Sequence, residues 1–197
     1  TCKSLRSNYS NTTLAIPAQV EYNGTTYAVT GIGSSAFFNA QSLTSVSIPS
    51  SVVNIGGSAF SSTPLYKDES NWTDGVLYID NCLIAAKPTI SGSYTIKEGT
   101  RVIAGNAFWR ASLTAMDIPN SVVSIGDGAF NSCSALTSVT IPNSVTCIGD
   151  YTFNECTSLS SITLPNTITS IGEFAFRNCS TLVSFEIPNS VKSIGKA

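Results

Sequence analysis

The chain has 197 residues, a formal net charge of −2, 42% hydrophobic residues and 11% charged ones, where an ordinary soluble protein is about a quarter charged. Without a Lys/Arg cluster it lacks the footprint of a nucleic-acid binder or a basic membrane-surface helix, and no apolar run approaches the ~20 residues of a membrane span. There is no histidine, so the commonest general base is missing and a zinc site is not expected.

In chain order, Leu14-Ala15-Ile16-Pro17-Ala18-Gln19-Val20 opens a pattern that recurs downstream. It is interrupted at once by Glu21 to Tyr27. Here Asn23-Gly24 sits between alternating residues, the strongest short hairpin signal, because both turn residues must accept positive φ. This hairpin, with the residues before it, is expected to cap the first coil over residues 1–31. A second unit from Ile48 gives Ile55-Gly56, Ala59-Phe60 and Leu65. An insertion follows over residues 68–94, in which Val76 to Ile79 and Leu83 to Ala86 flank Asp80-Asn81. It is read as a second hairpin, projecting from the side. The unit from Ile96 is degenerate: Lys97 replaces the proline and Ala104 the glycine.

From Ile118 the pattern becomes regular: IPNSVVSIGDGAFNSCSALTSVT, IPNSVTCIGDYTFNECTSLSSIT, LPNTITSIGEFAFRNCSTLVSFE, then IPNSVKSIGKA. The period is 23 residues. Self-similarity at this length marks a solenoid in which each unit is one coil. Units start at Ile16, Ile48, Ile96, Ile118, Ile141, Leu164 and Ile187. Residues 1–197 are therefore one domain, regular over 96–197, with an incomplete last coil expected to be its weak point.

Each position in a unit has a physical task. Val139 and Ile141 alternate with Ser138 and Thr140, a half-buried strand with the hydroxyls outward. Pro142-Asn143 suits a turn. Val145 and Ile148 form a second inward pair, and Gly149 breaks the segment. A short helical turn fits Tyr151-Thr152-Phe153, with Asp127, Asp150 and Glu173 at N-cap positions. Phe130, Phe153 and Phe176 should stack. Cys133, Cys156 and Cys179 recur 23 residues apart. Without a C-x-x-C pair they are expected to be reduced, buried core filler.

The motif I-P-N-S-V-x-S-I-G-x-x-A-F-x-x-C-x-x-L-x-S-V-x resembles the BspA-like, or Treponema pallidum-type, leucine-rich repeat family from about Leu14 onward. The resemblance implies a right-handed leucine-rich-repeat solenoid, mainly β with short helical or 3-10 turns. The unit starts of this sequence give about seven coils, with two inserted hairpins. The resemblance also implies a secreted or cell-surface protein, bacterial for the most part, that adheres to host or microbial partners, and it brings no catalytic residues.

Two readings of function follow. One is a non-enzymatic binding or adhesion module for a protein or glycan partner, without cofactor, metal, nucleic acid or direct membrane insertion. Its candidate residues are the outward strand positions Ser45, Ser47, Asp117, Ser138, Thr140, Ser161, Thr163, Ser184 and Glu186, and the insertion aromatics Trp72 and Tyr78, for which packing the hairpin onto the solenoid is the favoured role because a two-stranded hairpin needs support. The alternative is a structural spacer within a larger surface protein. The C-terminal edge is the expected place for any self-association. No export signal is visible, and the sequence is read as a mature or trimmed form.

Overall fold

A computed structural model describes residues 12–196. The 23-residue step places like on like, so strands pair in parallel between successive units. Ser138–Thr140 pairs with Ser161–Thr163, setting Val139 beside Ile162, and Met116 stands beside Val139. A second ladder sets Ile148 beside Ile171 and Ile171 beside Ile194. The side chains of Val139, Ile148, Ile162 and Ile171 are buried. Phe108, Phe130, Phe153 and Phe176 stack with interplanar angles of 9°, 7° and 7° and centroids 5.5, 5.2 and 5.6 Å apart. The result is a β-solenoid of about seven turns.

The expected short helices after each Ile-Gly are absent, and the reason lies in the backbone. Alternate N–H groups there donate to the next coil. Tyr151 bonds Glu173 O (2.9 Å), Phe153 bonds Ala175 O (2.8 Å) and Glu155 bonds Arg177 O (2.8 Å). Gly128, Phe130 and Ser132 do the same towards Asp150, Thr152 and Asn154. A helix would turn these donors back on its own coil. Two residues per turn take positive φ to achieve this, for example Tyr151 (56°) with Glu155 (59°) and Phe174 (54°) with Asn178 (59°). Among the described residues, helix is confined to Pro64–Lys67 and a 3-10 turn at Glu69–Asn71.

The abundant hydroxyls are also structural. Thr137 Oγ1 donates to Thr114 O (2.9 Å), Thr167 Oγ1 to Val145 O (2.8 Å) and Thr169 Oγ1 to Thr146 O (3.1 Å), each reaching the preceding coil. Ser51, Ser144 and Ser190 make the equivalent bond to Val29, Val122 and Ile168. The glycine of Ile-Gly answers to the same closeness: a Cβ on Gly172 would lie 2.5 Å from Asp150 N.

The two hairpins exchange their expected roles. Gln19–Tyr22 and Thr25–Ala28 pair antiparallel around Asn23 (φ 50°) and Gly24 (φ 73°). All eight strand residues are exposed, so this hairpin stands in solvent and does not cover a core face. Residues 1–11, the rest of the expected cap, lie outside the described residues. The insertion, in contrast, is a wedge and does not project. Its strands Val76–Ile79 and Cys82–Ala86 are largely buried, and their side chains divide between two cores. Cys82–Ala86 pairs in parallel with Val102–Ile103, setting Leu83 beside Ile103, the register that another coil would use. Ala104 N–H then donates to Leu83 O (2.9 Å), the same bond that Gly126 N–H makes to Ile103 O. A continuous apolar run bounded by turns fits a strand buried on both faces as well as one on a surface hairpin.

The first strand ladder is cut at this wedge. Thr13–Ala15 pairs with Ser45–Ser47, and a separate sheet runs from Ser91–Thr95 to Ser161–Thr163. Ile48 N–H finds the Asp80 carboxylate at 2.7 Å, where other units offer a neighbouring backbone carbonyl, as Thr163 O does for Ile141 N–H. At the other end, the strand expected to carry Ser184 and Glu186 does not form. Phe185 tilts over the open face of Phe176 (4.9 Å, 46°), covering that ring at the expense of ladder pairing, and Val183 is left 94% exposed.

Phe153→Ala should cost about 3–5 kcal/mol, the range for a fully buried phenylalanine, since its ring is 0% exposed. Gly172→Ala should cost about 1–3 kcal/mol by overpacking. Urea unfolding checks both, and an unchanged midpoint for Phe153→Ala would remove the ring column from the account of stability.

Candidate binding surface

Three surfaces carry the side chains that could meet a partner. On the strand face, Ser45, Ser47, Asp117, Ser138, Thr140, Ser161 and Thr163 are all exposed, with Ser138 beside Ser161 and Thr140 beside Thr163. It is a row of small polar groups. Ser184 and Glu186 are exposed but follow its last strand.

The insertion aromatics turn inward. Trp72 Nε1 donates to Tyr66 O (2.9 Å), and its ring meets Tyr66 edge-on at 5.1 Å and 88°. Lys87 lies over the Trp72 ring (5.4 Å) and pairs with Glu69. Tyr78 and Tyr94 share a hydroxyl–hydroxyl bond of 3.0 Å. These contacts seat the wedge.

Apart from Tyr22 and Tyr27 on the first hairpin, the exposed aromatics lie instead on the turns that join the two ladders. Phe38 is 53% exposed, Trp109 47% and Tyr151 39%. Phe38 and Trp109 occupy a position held elsewhere by Ser61, Asn131, Asn154 and Arg177. Tyr151 and Phe174 occupy one held by Ser35, Ser58, Asn106 and Gly128. That second position needs positive φ throughout, 56° at Tyr151 and 54° at Phe174. Such a backbone costs an L-residue about 1–2 kcal/mol and is rare for bulky side chains. The two rings pack against each other at 5.1 Å, and Arg177 lies over Phe174 at 5.4 Å. The signal for these residues was in the repeat alignment: an aromatic at a position otherwise small or polar.

Where the wedge parts the coils, the turn ladder skips. Ser35, Phe37 and Asn39 bond to the coil of Gly57, Ala59 and Ser61, and the ladder resumes at Asn106, Phe108 and Arg110. Between them Ala86 N–H donates to Ala107 O. The gap is a cleft of about 510 Å³ with Ser58, Ser61, Tyr66, Asn106, Trp109 and Asn131 on its walls. Burial raises the Tyr66 hydroxyl pKa above its ordinary value.

The recurring acids and cysteines are committed to the stack. Asp127 accepts the Asp150 N–H (3.1 Å), and Asp150 accepts that of Glu173 (2.7 Å). Each carboxylate thus holds the next coil, where the repeat suggested an N-cap within its own. Cys133, Cys156 and Cys179 are free and buried. Their Sγ atoms lie 3.1, 3.2 and 3.1 Å from the carbonyls of Phe108, Phe130 and Phe153 in the preceding coil. Burial pushes the Cys133 thiol up to about 12 and Cys179 to about 11; Cys156 is raised as well, chiefly by burial.

Parallel ladders, a repeating buried Ile/Leu/Val/Phe set and a 23-residue coil define a leucine-rich-repeat solenoid. The pattern of the BspA-type leucine-rich repeat region matches residues 7–83 and 101–197, in six copies; the chain belongs to this family. Among solved structures it is similar to a leucine-rich cell surface protein of Faecalibacterium prausnitzii, with 34% identity over 94% of this chain and 44% of that one, at a TM-score of 0.50. It is also similar to a leucine-rich repeat protein of Bacteroides ovatus, with 27% identity over 93% of this chain and 53% of that one, at a TM-score of 0.50. The chain thus spans about half the length of these two relatives. No curated protein matches it.

Three outcomes are expected. A thiol reagent at pH 8 should label exposed Cys147 in the folded protein and leave Cys82, Cys133, Cys156 and Cys179 unlabelled until denaturant is added. A thiol whose folded pKa is raised holds its proton where the unfolded thiol has lost it. Stability should therefore fall as pH rises past the ordinary value of 9.0, and the loss should be complete once the folded values near 11–12 are passed; stability unchanged from pH 8 to 11 would contradict this. Separately, Tyr151→Asn with Phe174→Asn should not lower the thermal midpoint. Relief at two strained positions, about 1–2 kcal/mol each, exceeds the ~0.5–1.5 kcal/mol of one lost ring pair. A drop of several degrees would show that the rings pack the fold more than they strain it.

Proposed function

We propose that this chain is a non-enzymatic binding module, secreted or displayed at the cell surface, that recognises a protein or glycan partner. The observation that carries the reading is the set of aromatics on the turns: Phe38, Trp109 and Tyr151 are exposed, and Tyr151 and the half-buried Phe174 are kept at backbone angles that favour glycine or asparagine. Strain of this kind is retained where surrounding structure enforces it, and it clusters at functional sites. Large amphipathic rings are also the side chains that dominate binding hot spots. The cell-surface description of the Faecalibacterium relative supports the location. In this reading the turns supply the anchors, and the hydroxyl-lined strand face adds weak contacts at most. That same strand face, small and polar throughout, favours the second reading: a spacer that presents another domain. The C-terminal edge, with Val183, Ile187 and Ile194 exposed, is the contact used when the chain self-associates.

The folded chain should bind at least one member of a panel of purified host matrix proteins or a printed glycan array. Replacing Trp109, Tyr151 and Phe174 together should weaken that binding at least tenfold, and alanines at Ser138, Thr140, Ser161 and Thr163 should not. The reverse pattern would move the site to the strand face. Clean negatives on both panels would leave the spacer reading. Any self-association should fall in Ile187→Lys and Ile194→Lys by sedimentation, and undiminished association would exclude the edge.

A further inference from the structure

The wedge does more than interrupt the stack. It opens a cleft of about 510 Å³, within the ~300–1,000 Å³ usual for small-molecule sites. No charged side chain lines it. Its walls combine aromatic faces with amides and hydroxyls, and among the described residues several of these groups make no hydrogen bond within the protein. The indole N–H of Trp109, the hydroxyls of Tyr66, Ser58 and Ser61, and the whole amide of Asn106 are available. Asn131 uses Oδ1 to accept from Asn154 Nδ2 (3.0 Å) and keeps its own N–H donors.

Two of these groups are held in place. Asn106 takes positive φ (57°) and its amide lies between glycines of the flanking coils, close enough that a Cβ on Gly57 would come within 2.5 Å of Nδ2. Arg110 stacks on Trp109 at 4.6 Å, which steadies the ring while it remains 47% exposed.

We infer that this cleft is a binding site for a neutral saccharide of one to three units. A sugar presents an apolar C–H face and a rim of hydroxyls that each donate and accept. The Trp109 and Tyr66 rings match the first, and the Asn106, Asn131, Ser58 and Ser61 groups match the second. Absence of charge in the lining disfavours sialylated, sulfated or phosphorylated ligands, since their anions would be desolvated without a partner. An extended protein surface would leave the cleft amides unpaired, which is costly once water is excluded. The inference rests on the surface-binding reading above and narrows it to one site and one ligand class.

Trp72 and Trp109 are the chain's two tryptophans. Trp72 is already packed and hydrogen-bonded, so a change in emission on adding sugar reports Trp109. Neutral oligomers of mannose, glucose, galactose and N-acetylhexosamine should first be screened on an array, then titrated by fluorescence. At least one should bind and shift the emission to the blue. Titrated by calorimetry, because they alter the fluorescent reporter, Trp109→Ala and Ser61→Trp, which fills the cleft without removing a wall, should each weaken binding at least tenfold. Val53→Ala, exposed elsewhere, should leave it unchanged, and circular dichroism should show all three folded. Binding that survives both cleft variants, binding confined to acidic glycans, or no neutral binder at all would overturn the inference. In the last case, capture of a matrix protein would leave the broader surface-binding reading standing.

Discussion

No coil of this solenoid can satisfy its own backbone. The turn after each Ile-Gly points alternate N–H groups along the stack, and only the next coil supplies their acceptors. Buried peptide groups left unpaired are expensive, so the whole repeat follows from meeting that demand at a close spacing. Glycine stands where a Cβ would strike the neighbouring backbone. Two residues per turn take positive φ. Serine, threonine and cysteine donate across the same gap to carbonyls that would otherwise be underused. The low charge has the same origin: positions that many proteins fill with solvated ions here hold short side chains reaching one coil back.

The function proposed for the chain arises where that demand is met by other means. The insertion supplies a substitute coil on one side, with Leu83 standing beside Ile103, and a substitute acceptor on another, with Asp80 below Ile48. It does not reproduce the turn between Ser58 and Ser62. The flanking turns part there, and a neutral cleft with unpaired donors remains. Of the aromatics that depart from the repeat, Trp109 stands at this cleft and Tyr151 and Phe174 on the turns of later coils, and the strand face stays small and polar.

Most of the architecture was legible because a strict period is a strong signal. Val139, Ile148 and Phe153 were placed by pattern alone, as were the free cysteines. The turns were misjudged because Asp150-Tyr151-Thr152-Phe153 fits a capped helical turn locally. What excludes a helix is the demand of the next coil, and that demand is not local. The insertion was misplaced because a short apolar run looks the same on a surface hairpin and in a two-sided core, and only tertiary context separates them. Trp72 and Tyr78 drew attention as aromatics within an insertion, and the role favoured for them from the sequence, packing it onto the solenoid, agrees with their contacts. Trp109, Tyr151 and Phe174 were overlooked although the alignment marked them as large residues at small positions. Their exposure depends on a backbone shape that periodicity does not reveal.

The measurement that tests this account most directly is residue-resolved amide hydrogen exchange on the folded chain. If the turns form a third ladder, the amides of Gly128, Phe130, Ser132, Tyr151, Phe153 and Glu155 should be protected to within about tenfold of strand amides such as Val139 and Ile148, as expected for groups that open only with the surrounding cooperative unit. Protection should fall away beyond Leu182, where the first ladder has ended. Turn amides that exchange as fast as those of Asn143 and Asn166, with the strands still protected, would contradict the claim that the coils are joined through their turns.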